Sequence, residues 1–229
     1  MISSRTTHRR GFLGRMAAAA GVAAGLPWVK PAAAQQSGPD DWLAAQTGAH
    51  RCFFDFPAHK DGSPLWHIYN YVRTYTGAAY GESGSQVKTV GTFYSIGPTS
   101  SIPLAFNDKI WSDYALGEYM GITDPQTRQP STRNLFNRPQ TGDPIMLAPG
   151  IPTVVGAGIE NLQKMGTTFL LCNNALVGWT LGLADAGKGP AKDIERDLRA
   201  NILPGVVTVP AMVIAIEKAQ EAGISYNKQ

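Results

Sequence analysis

Cys172 is the residue best placed for chemistry in this sequence. It follows the apolar run 167–171, and after Asn173 and Asn174 an apolar run of helical character begins at about Ala175. In open α/β sheets, ligands bind beyond the carboxyl ends of the strands. The dipole and free N–H groups at a helix start favour a thiolate. The spacing therefore predicts a nucleophilic thiolate at Cys172, and it equally allows a small buried cysteine without reactivity.

Cys52 is the other cysteine of the chain, and it lies near the amino end of its predicted strand. In a parallel sheet, most of a strand length would then separate its sulfur from that of Cys172. A disulfide needs Cα atoms within about 7 Å of each other. We therefore predict no bridge between Cys52 and Cys172, and we interpret Cys52 as a core residue.

Two histidines lie close to the first predicted strand. His59 follows that strand and is expected near the same sheet edge as Cys172, where it can pair with the thiolate or ligate a metal. The alternative for His59 is a surface position in a loop. His67 lies inside the first predicted helix and is expected to be partly buried. A metal site using His59 and Cys172 has no spacing motif behind it, so no metal ligand is assigned.

Two further segments can attract an anion. Residues 97–101 join a predicted strand to a helix start, which makes Ser100 a candidate anion ligand. The segment is not a P-loop, because no Gly-Lys-Ser/Thr follows, and the chain has neither G-x-G-x-x-G nor G-x-S-x-G. We expect no cofactor. Arg128, Arg133 and Arg138 recur every five residues in a long loop, where arginines more often tie the loop to its neighbours than bind an oxyanion.

The elements that would position these residues alternate along the chain. Apolar runs at 51–56, 87–96, 167–171, 206–209 and 224–226 predict strands. Helical patterns predict a first helix that begins at residue 63. They predict further helices at about 100–120, 156–164, 175–184, 193–202 and 210–222. This alternation predicts one three-layer α/β domain over residues 50–229, with a mainly parallel sheet of about five strands. Residues 122–152 contain six prolines and predict a long irregular insertion.

The first 34 residues have the order of a signal peptide: a charged segment with Arg9 and Arg10, an Ala-rich apolar run, and Ala32-Ala33-Ala34. The pair Arg9-Arg10 followed by Gly-Phe-Leu resembles a twin-arginine export signal. Residues 1–34 are thus predicted to be cleaved, residues 35–49 to form a polar tail, and the protein to be periplasmic. The alternative is an amphipathic helix belonging to the fold.

Composition excludes several classes of protein. Hydrophobic residues make up 43% of the 229 residues, which argues against a disordered chain. Two cysteines are too few for a disulfide scaffold or a zinc ribbon. The net charge of +3 depends on five basic residues before position 35. Without them the chain has 15 Lys and Arg residues and 17 Asp and Glu residues. The mature chain is slightly acidic, so neither nucleic acid nor a membrane is an expected partner.

The carboxyl-terminal half resembles the DsrE/DsrF-like (YchN-like) family. The resemblance rests on Leu162 to Gly166, on Phe169 to Leu176 including Cys172, and on Leu203 to Val207 with Pro210, followed by a final helix and the segment 221–226. The segment 104–108 with Trp111 fits the helix after the second strand of that family. The resemblance covers most of the mature chain and is strongest from about 155 to 226.

The resemblance implies a flavodoxin-like domain assembled as a homo-oligomer, either a trimer or a hexamer. In the sulfur-relay members, the cysteine that matches Cys172 carries a persulfide and passes sulfur to a partner. We therefore expect an exported sulfur carrier or sulfurtransferase with Cys172 as the sulfur acceptor. The binding candidates beside it are Asn173, Asn174, His59, Ser100 and Asn107, and the partner is a sulfur donor or acceptor protein or a small sulfur compound. The alternative is a periplasmic ligand-binding or assembly module without enzymatic activity, in which Cys172 is structural.

Overall fold

The computed structural model describes residues 38–144 and 154–229. The predicted signal peptide, residues 1–34, lies outside the described residues, as do residues 145–153 of the proline-rich insertion.

Five parallel strands form the centre of the domain, as the alternating pattern predicts. They are β1 (His50–Asp55), β2 (Val87–Phe93), β3 (Thr167–Cys172), β4 (Val206–Val209) and β5 (Ser225–Lys228). Their order across the sheet is β4-β3-β2-β1-β5, and every neighbouring pair is parallel. Parallel strands are usually covered on both faces by helices, which accounts for the apolar character of β1 to β3. The expected three-layer α/β fold is confirmed.

Seven α-helices connect the strands: α1 (Ser63–Thr76), α2 (Asp108–Asp113), α3 (Leu116–Met120), α4 (Ile159–Lys164), α5 (Asn173–Asp185), α6 (Ala191–Ala200) and α7 (Met212–Glu221). Short 3-10 helices cover Asp41–Ala45, Lys60–Gly62, Gly84–Gln86, Ile102–Ala105 and Val155–Ala157. These counts refer to the two described stretches of the chain.

The strand order places the helices on opposite faces of the sheet. The chain steps from β1 to β4 in one direction, so right-handed crossovers put α1 to α6 on one face. The last crossover returns from β4 across the sheet to β5 and puts α7 on the other face. Two separate apolar cores follow from this path. The larger core includes Leu176 and Trp179 of α5, and the smaller one includes Met212 and Ala215 of α7.

The prediction of a single helix over residues 100–120 is wrong. The segment is broken into a 3-10 turn, α2 and α3. Asn107 starts a new helix because its side chain accepts hydrogen bonds from the backbone N–H groups of Lys109 (3.1 Å) and Ile110 (3.5 Å). Ala115 has φ of 52°, which ends α2 and sets the direction of α3. The strand expected at 87–96 also ends earlier, at Phe93.

The irregular insertion is held together by Arg133. Its guanidinium donates to Asp124 at 2.7 Å and to both carboxylate oxygens of Asp143 at 2.7 and 2.9 Å. Arg138 contacts Glu160 of α4. For these two arginines the expected role of tying the loop to its neighbours is confirmed, while Arg128 is exposed.

Residues 38–49 are not a free polar tail, although residues 35–49 were expected to form one. Trp42 of the first 3-10 helix is buried against Phe53 of β1, with ring centroids 6.2 Å apart. The Gln46 amide donates to Thr168 of β3 at 2.9 Å. This segment therefore helps α7 to cover the smaller core.

Candidate functional site

Cys172 lies at the point where neighbouring strands send the chain to opposite faces of the sheet. It pairs with Val209 at the carboxyl ends of β3 and β4. From β3 the chain continues into α5 on one face, and from β4 it continues into α7 on the other. Open α/β sheets bind ligands in the crevice that such a switch point creates. The topology thus places Cys172 at the position in this fold where a ligand site is expected.

Cys172 lies at the start of α5, and its side chain packs on the face of the sheet opposite to that helix. Cys172 is the N-cap residue of this 13-residue helix, and the first turn contains no acidic residue. Its side chain makes no capping hydrogen bond to the N–H groups of that turn. The side chain is a free thiol, 6% exposed, packed in the smaller core.

Cys52 is as buried as Cys172 but differs from it in position. It lies in the larger core, on the opposite face of the sheet from Cys172. Burial raises the pKa of the Cys52 thiol to about 11, which keeps it protonated at neutral pH. The two cysteines lie in different cores, which is inconsistent with a bridge between them, and the core position of Cys52 is confirmed.

Four polar side chains continue the line of strand ends from Cys172 across the sheet. Tyr94 follows β2, Asp55 ends β1, and Tyr226 and Lys228 belong to β5. Asp55 is 1% exposed, and its Oδ2 accepts hydrogen bonds from the Tyr226 hydroxyl (2.7 Å) and from Lys228 Nζ (2.8 Å). We call these four residues, together with Cys172, the carboxyl-edge row.

Tyr94 joins the two ends of the carboxyl-edge row. Its ring packs against the smaller core that contains Cys172. Burial raises the pKa of the Tyr94 phenol, and hydrogen bonding and negative charge from Asp55 raise it further, with a smaller contribution from Cys172. The phenol is therefore a neutral hydrogen-bond donor at physiological pH, placed between a carboxylate and a thiol.

Ser100 and Ser101 hold the backbone of Tyr94 in place. Ser101 Oγ accepts from the Tyr94 N–H at 3.0 Å, and Ser100 Oγ donates to the Tyr94 and Ser95 carbonyls at 3.2 and 3.0 Å. Ser100 Oγ also accepts from the backbone N–H of Ile102. The Ser100 hydroxyl, a predicted anion ligand, is thus occupied by the loop itself and positions Tyr94.

The two asparagines beside Cys172 have different surroundings. Asn173 Oδ1 accepts from the Arg199 guanidinium at 2.8 Å, which connects the start of α5 to α6. Asn174 is exposed on the first turn of α5. Asn107 is the remaining amide candidate. Its side chain caps α2 and donates to Asn201 at 3.0 Å.

The structure does not bring His59 and Cys172 together among the described residues. His59 is buried, and its Nδ1 accepts from the Asp61 backbone N–H at 3.1 Å. Its ring lies 6.1 Å from that of Phe136, which belongs to the larger core on the opposite face from Cys172. His67 is exposed rather than partly buried, because its position on α1 faces solvent beside Gln229.

A separate cleft of about 500 Å³ lies between α1 and β5. Its walls include the rings of Tyr71, Tyr75 and Tyr80 and the amides of Asn227 and Gln229. Within the described stretches, no cluster of three or more His, Cys, Asp and Glu side chains is arranged to hold a metal ion. In the same part of the chain, no helix has both the length and the apolar character needed to cross a bilayer.

Comparisons of the chain with protein-family models, with curated proteins and with solved structures give no match. Sequence reasoning identified Cys172 but missed Asp55, Tyr94, Tyr226 and Lys228. The sequence did contain a signal for Asp55, since an acidic residue lies near the end of the aromatic predicted strand 51–56. Cys172 lies at the corresponding end of β3.

Proposed function

We propose that this protein is an exported sulfur carrier that holds sulfur as a persulfide on Cys172. The observation that carries the proposal is the location of a free thiol at the topological switch point and at the start of α5. The resemblance of the segment around Cys172 to the DsrE/DsrF-like sulfur-relay proteins supports the same chemistry. A homo-oligomer, trimer or hexamer, is part of the proposal.

The reaction is a displacement at sulfur. The Cys172 thiolate attacks the sulfane sulfur of thiosulfate, a new S–S bond forms, and sulfite leaves with the electron pair of the broken bond. With a polysulfide, the leaving group is the shortened polysulfide. In the return step an acceptor thiolate attacks the outer sulfur of the persulfide, and Cys172 leaves as the thiolate. The dipole of α5 favours that charge at the helix start.

Intact-mass spectrometry of the mature protein after exposure to polysulfide or thiosulfate tests the proposal. We expect a gain of sulfur atoms that reduction removes, present in wild type and Cys52→Ser and absent in Cys172→Ser. Retention of the sulfur in Cys172→Ser would contradict the assignment. Absence of any adduct, together with a Cys172 that resists alkylation in the folded protein, would make Cys172 structural. Light scattering of the same sample measures the oligomer.

The second candidate function is ligand binding without catalysis, and the cleft beside α1 favours it. Its volume falls within the range of about 300–1,000 Å³ typical of small-molecule sites. An inert Cys172 combined with a small molecule that co-purifies with wild type, and is lost on Tyr75→Ala, would favour this function over sulfur transfer.

A further inference from the structure

The face of the edge strand β5 that points toward α1 borders an open cleft. Asn227 of β5 pairs with Phe54 of β1, so the two side chains lie on the same face of the sheet. Helix α1 packs over β2, two strands away from β5, and the space left between α1 and β5 is the cleft of about 500 Å³. We call it the α1–β5 cleft. On this face Asn227 and, one residue beyond the strand, Gln229 are polar, which suits contact with a polar ligand better than contact with a covering helix.

Part of the wall of the α1–β5 cleft consists of aromatic rings that hold each other in place. The Tyr75 ring contacts His50 (centroids 4.1 Å apart), Tyr71 (4.9 Å) and Tyr80 (4.9 Å). Tyr71 in turn packs edge-on against Phe54, 5.6 Å away. Tyr80 is nevertheless 63% exposed. The cluster therefore presents a supported aromatic ring to solvent, on which the apolar face of a ligand can pack.

Neutral polar groups supply the rest of the lining. Asn70 and Thr74 lie one turn apart on α1, and both side chains are exposed. Asn227 Oδ1 accepts a hydrogen bond from the Gln229 amide at 2.7 Å, which orients the Asn227 side chain. Amides and hydroxyls both donate and accept hydrogen bonds, so these groups match a ligand that carries hydroxyl groups of its own.

The charge of the α1–β5 cleft selects a neutral ligand. Among the described residues that line it, none is Asp, Glu, Lys or Arg. Glu82 contacts His50 at 3.4 Å but does not line the cleft. Burial raises the pKa of Tyr71, so its phenol also stays neutral. A carboxylate, phosphate or ammonium group would lose water here without meeting an opposite charge.

The rings and the polar groups together select among neutral ligands. A planar aromatic compound would pack on Tyr80 but would leave the amide and hydroxyl groups of the lining without partners. A saccharide has an apolar C–H face for the ring and several hydroxyl groups for the amides. The volume lies within the range of small-molecule sites and suits one or two sugar rings.

We propose that the α1–β5 cleft binds a neutral mono- or disaccharide, with a sugar face on Tyr80 and its hydroxyl groups bonded to Asn70, Thr74 and Asn227. The proposal rests on the second candidate function and names the class of its ligand. It is independent of the sulfur chemistry proposed for Cys172, because the cleft lies on the α1 face of the sheet and the Cys172 side chain lies on the α7 face.

Saturation-transfer difference NMR of the mature protein measures this binding. Six neutral sugars are titrated separately: glucose, galactose, mannose, N-acetylglucosamine, maltose and cellobiose. Glucuronate and glucosamine are the charged sugars, and caffeine is a neutral planar compound without hydroxyl groups. We expect saturable binding of at least one neutral sugar, with weaker binding of both charged sugars and of caffeine than of that sugar.

Two variants test the location of the site. Tyr80→Ala should raise the dissociation constant of the bound sugar about fivefold or more, because the ring contact is lost. Asn70→Ala should raise it about fivefold, because a hydrogen bond is lost. Both residues are exposed, so the fold is retained. The matched control, Gln220→Ala, removes an exposed amide from α7 and should leave the dissociation constant within about twofold.

Four outcomes would overturn the proposal. They are absence of binding to all six sugars, preference for a charged sugar, sugar binding that is unchanged in both Tyr80→Ala and Asn70→Ala, and caffeine binding without sugar binding. In the last case, loss of caffeine binding in Tyr80→Ala would still support a ligand site of another class at the cleft. Sulfur loading of Cys172 is measured separately by intact mass, so failure of the saccharide proposal is distinguishable from failure of sulfur transfer.

Discussion

At the scale of single residues, His59 is a buried base whose environment opposes protonation. Burial lowers the pKa of His59, and the nearby charge of Asp61 only partly offsets this effect. Its Nδ1 accepts a backbone hydrogen bond, a role that a protonated ring would lose. The native state therefore binds fewer protons at this position than the unfolded chain.

The sign of the resulting pH dependence follows from proton linkage. Because the folded pKa lies below the unfolded value of about 6.5, stability from His59 is present above that value and is lost as the pH falls toward the folded pKa. For one proton the slope reaches at most about 1.4 kcal/mol per pH unit. His59→Asn keeps a similarly placed acceptor for the Asp61 N–H and should flatten this part of the profile.

Urea unfolding between pH 7.5 and 5 measures the effect. The free energy of unfolding of wild type should fall more steeply than that of His59→Asn as the pH is lowered. The control, His67→Asn, replaces an exposed histidine of α1 and should follow the wild-type profile. Parallel profiles for wild type and His59→Asn would rule out a buried neutral His59.

The position of Cys172 was predictable from sequence and that of Asp55 was not. Cys172 stands between two apolar runs of different period, and that junction indicates the strand end and the helix start together. The surroundings of Asp55 come from β5, which pairs with β1 and contributes Tyr226, 171 residues further along the chain. A contact between distant segments has no signal in the local pattern of either one.

At the scale of elements, residues 122–144, the described part of the insertion before its gap, are organised by one guanidinium group rather than by helices or strands. Arg133 is half-buried between Asp124 and Asp143, and the Asp143 carboxylate is inaccessible to solvent. Removing the guanidinium would abolish the charge-assisted hydrogen bonds that Arg133 donates to both carboxylates. Breaking such a pair from one side is far more costly than its net contribution to stability.

Arg133→Gln should therefore lower the free energy of unfolding by about 3 kcal/mol, measured by urea denaturation. Arg128→Gln is the matched control: it removes an arginine from the same insertion, but one that is exposed, so the change should stay within about 0.5 kcal/mol. Similar small effects for both variants would show that the insertion is not held by Arg133.

Residues 100–120 show where the local sequence pattern was insufficient to predict the helix boundaries. The apolar side chains of 100–120 have helical spacing and are buried as expected, yet the backbone forms three short pieces. Asn107 competes for the helix start because its side chain can bond to nearby N–H groups. Pro103 sits within the 3-10 turn before it, where its fixed φ is tolerated. Local capping chemistry overrode the periodicity.

At the scale of the whole molecule, the fold joins segments that are far apart in sequence. The chain builds β1 to β4 in order and then crosses the sheet so that β5 pairs with β1. Parallel pairing of distant strands makes folding slow and exposes apolar strands during the process. The alternation of strands and helices predicted the parallel sheet. No local sequence pattern indicated which edge of the sheet β5 would join.

This topology bears on the proposed export of the protein. A twin-arginine signal directs proteins that fold before transport, which suits a sheet whose last strand completes the carboxyl-edge row. Replacing Arg9 and Arg10 together by lysine keeps the charge and removes the feature that such a signal needs. The variant should remain in the cytosol of a bacterial host as the uncleaved precursor.

Cell fractionation and intact mass test this prediction directly. Wild type should be recovered from the periplasm. Its mass should be that of a chain of 195 residues that begins at Gln35. Arg5→Lys, a conservative change outside the arginine pair, should behave like wild type. Because cleavage removes five basic residues and no acidic one, the exported form should also migrate as a slightly acidic protein on isoelectric focusing. A periplasmic, cleaved double-lysine variant would show that export does not depend on the arginine pair.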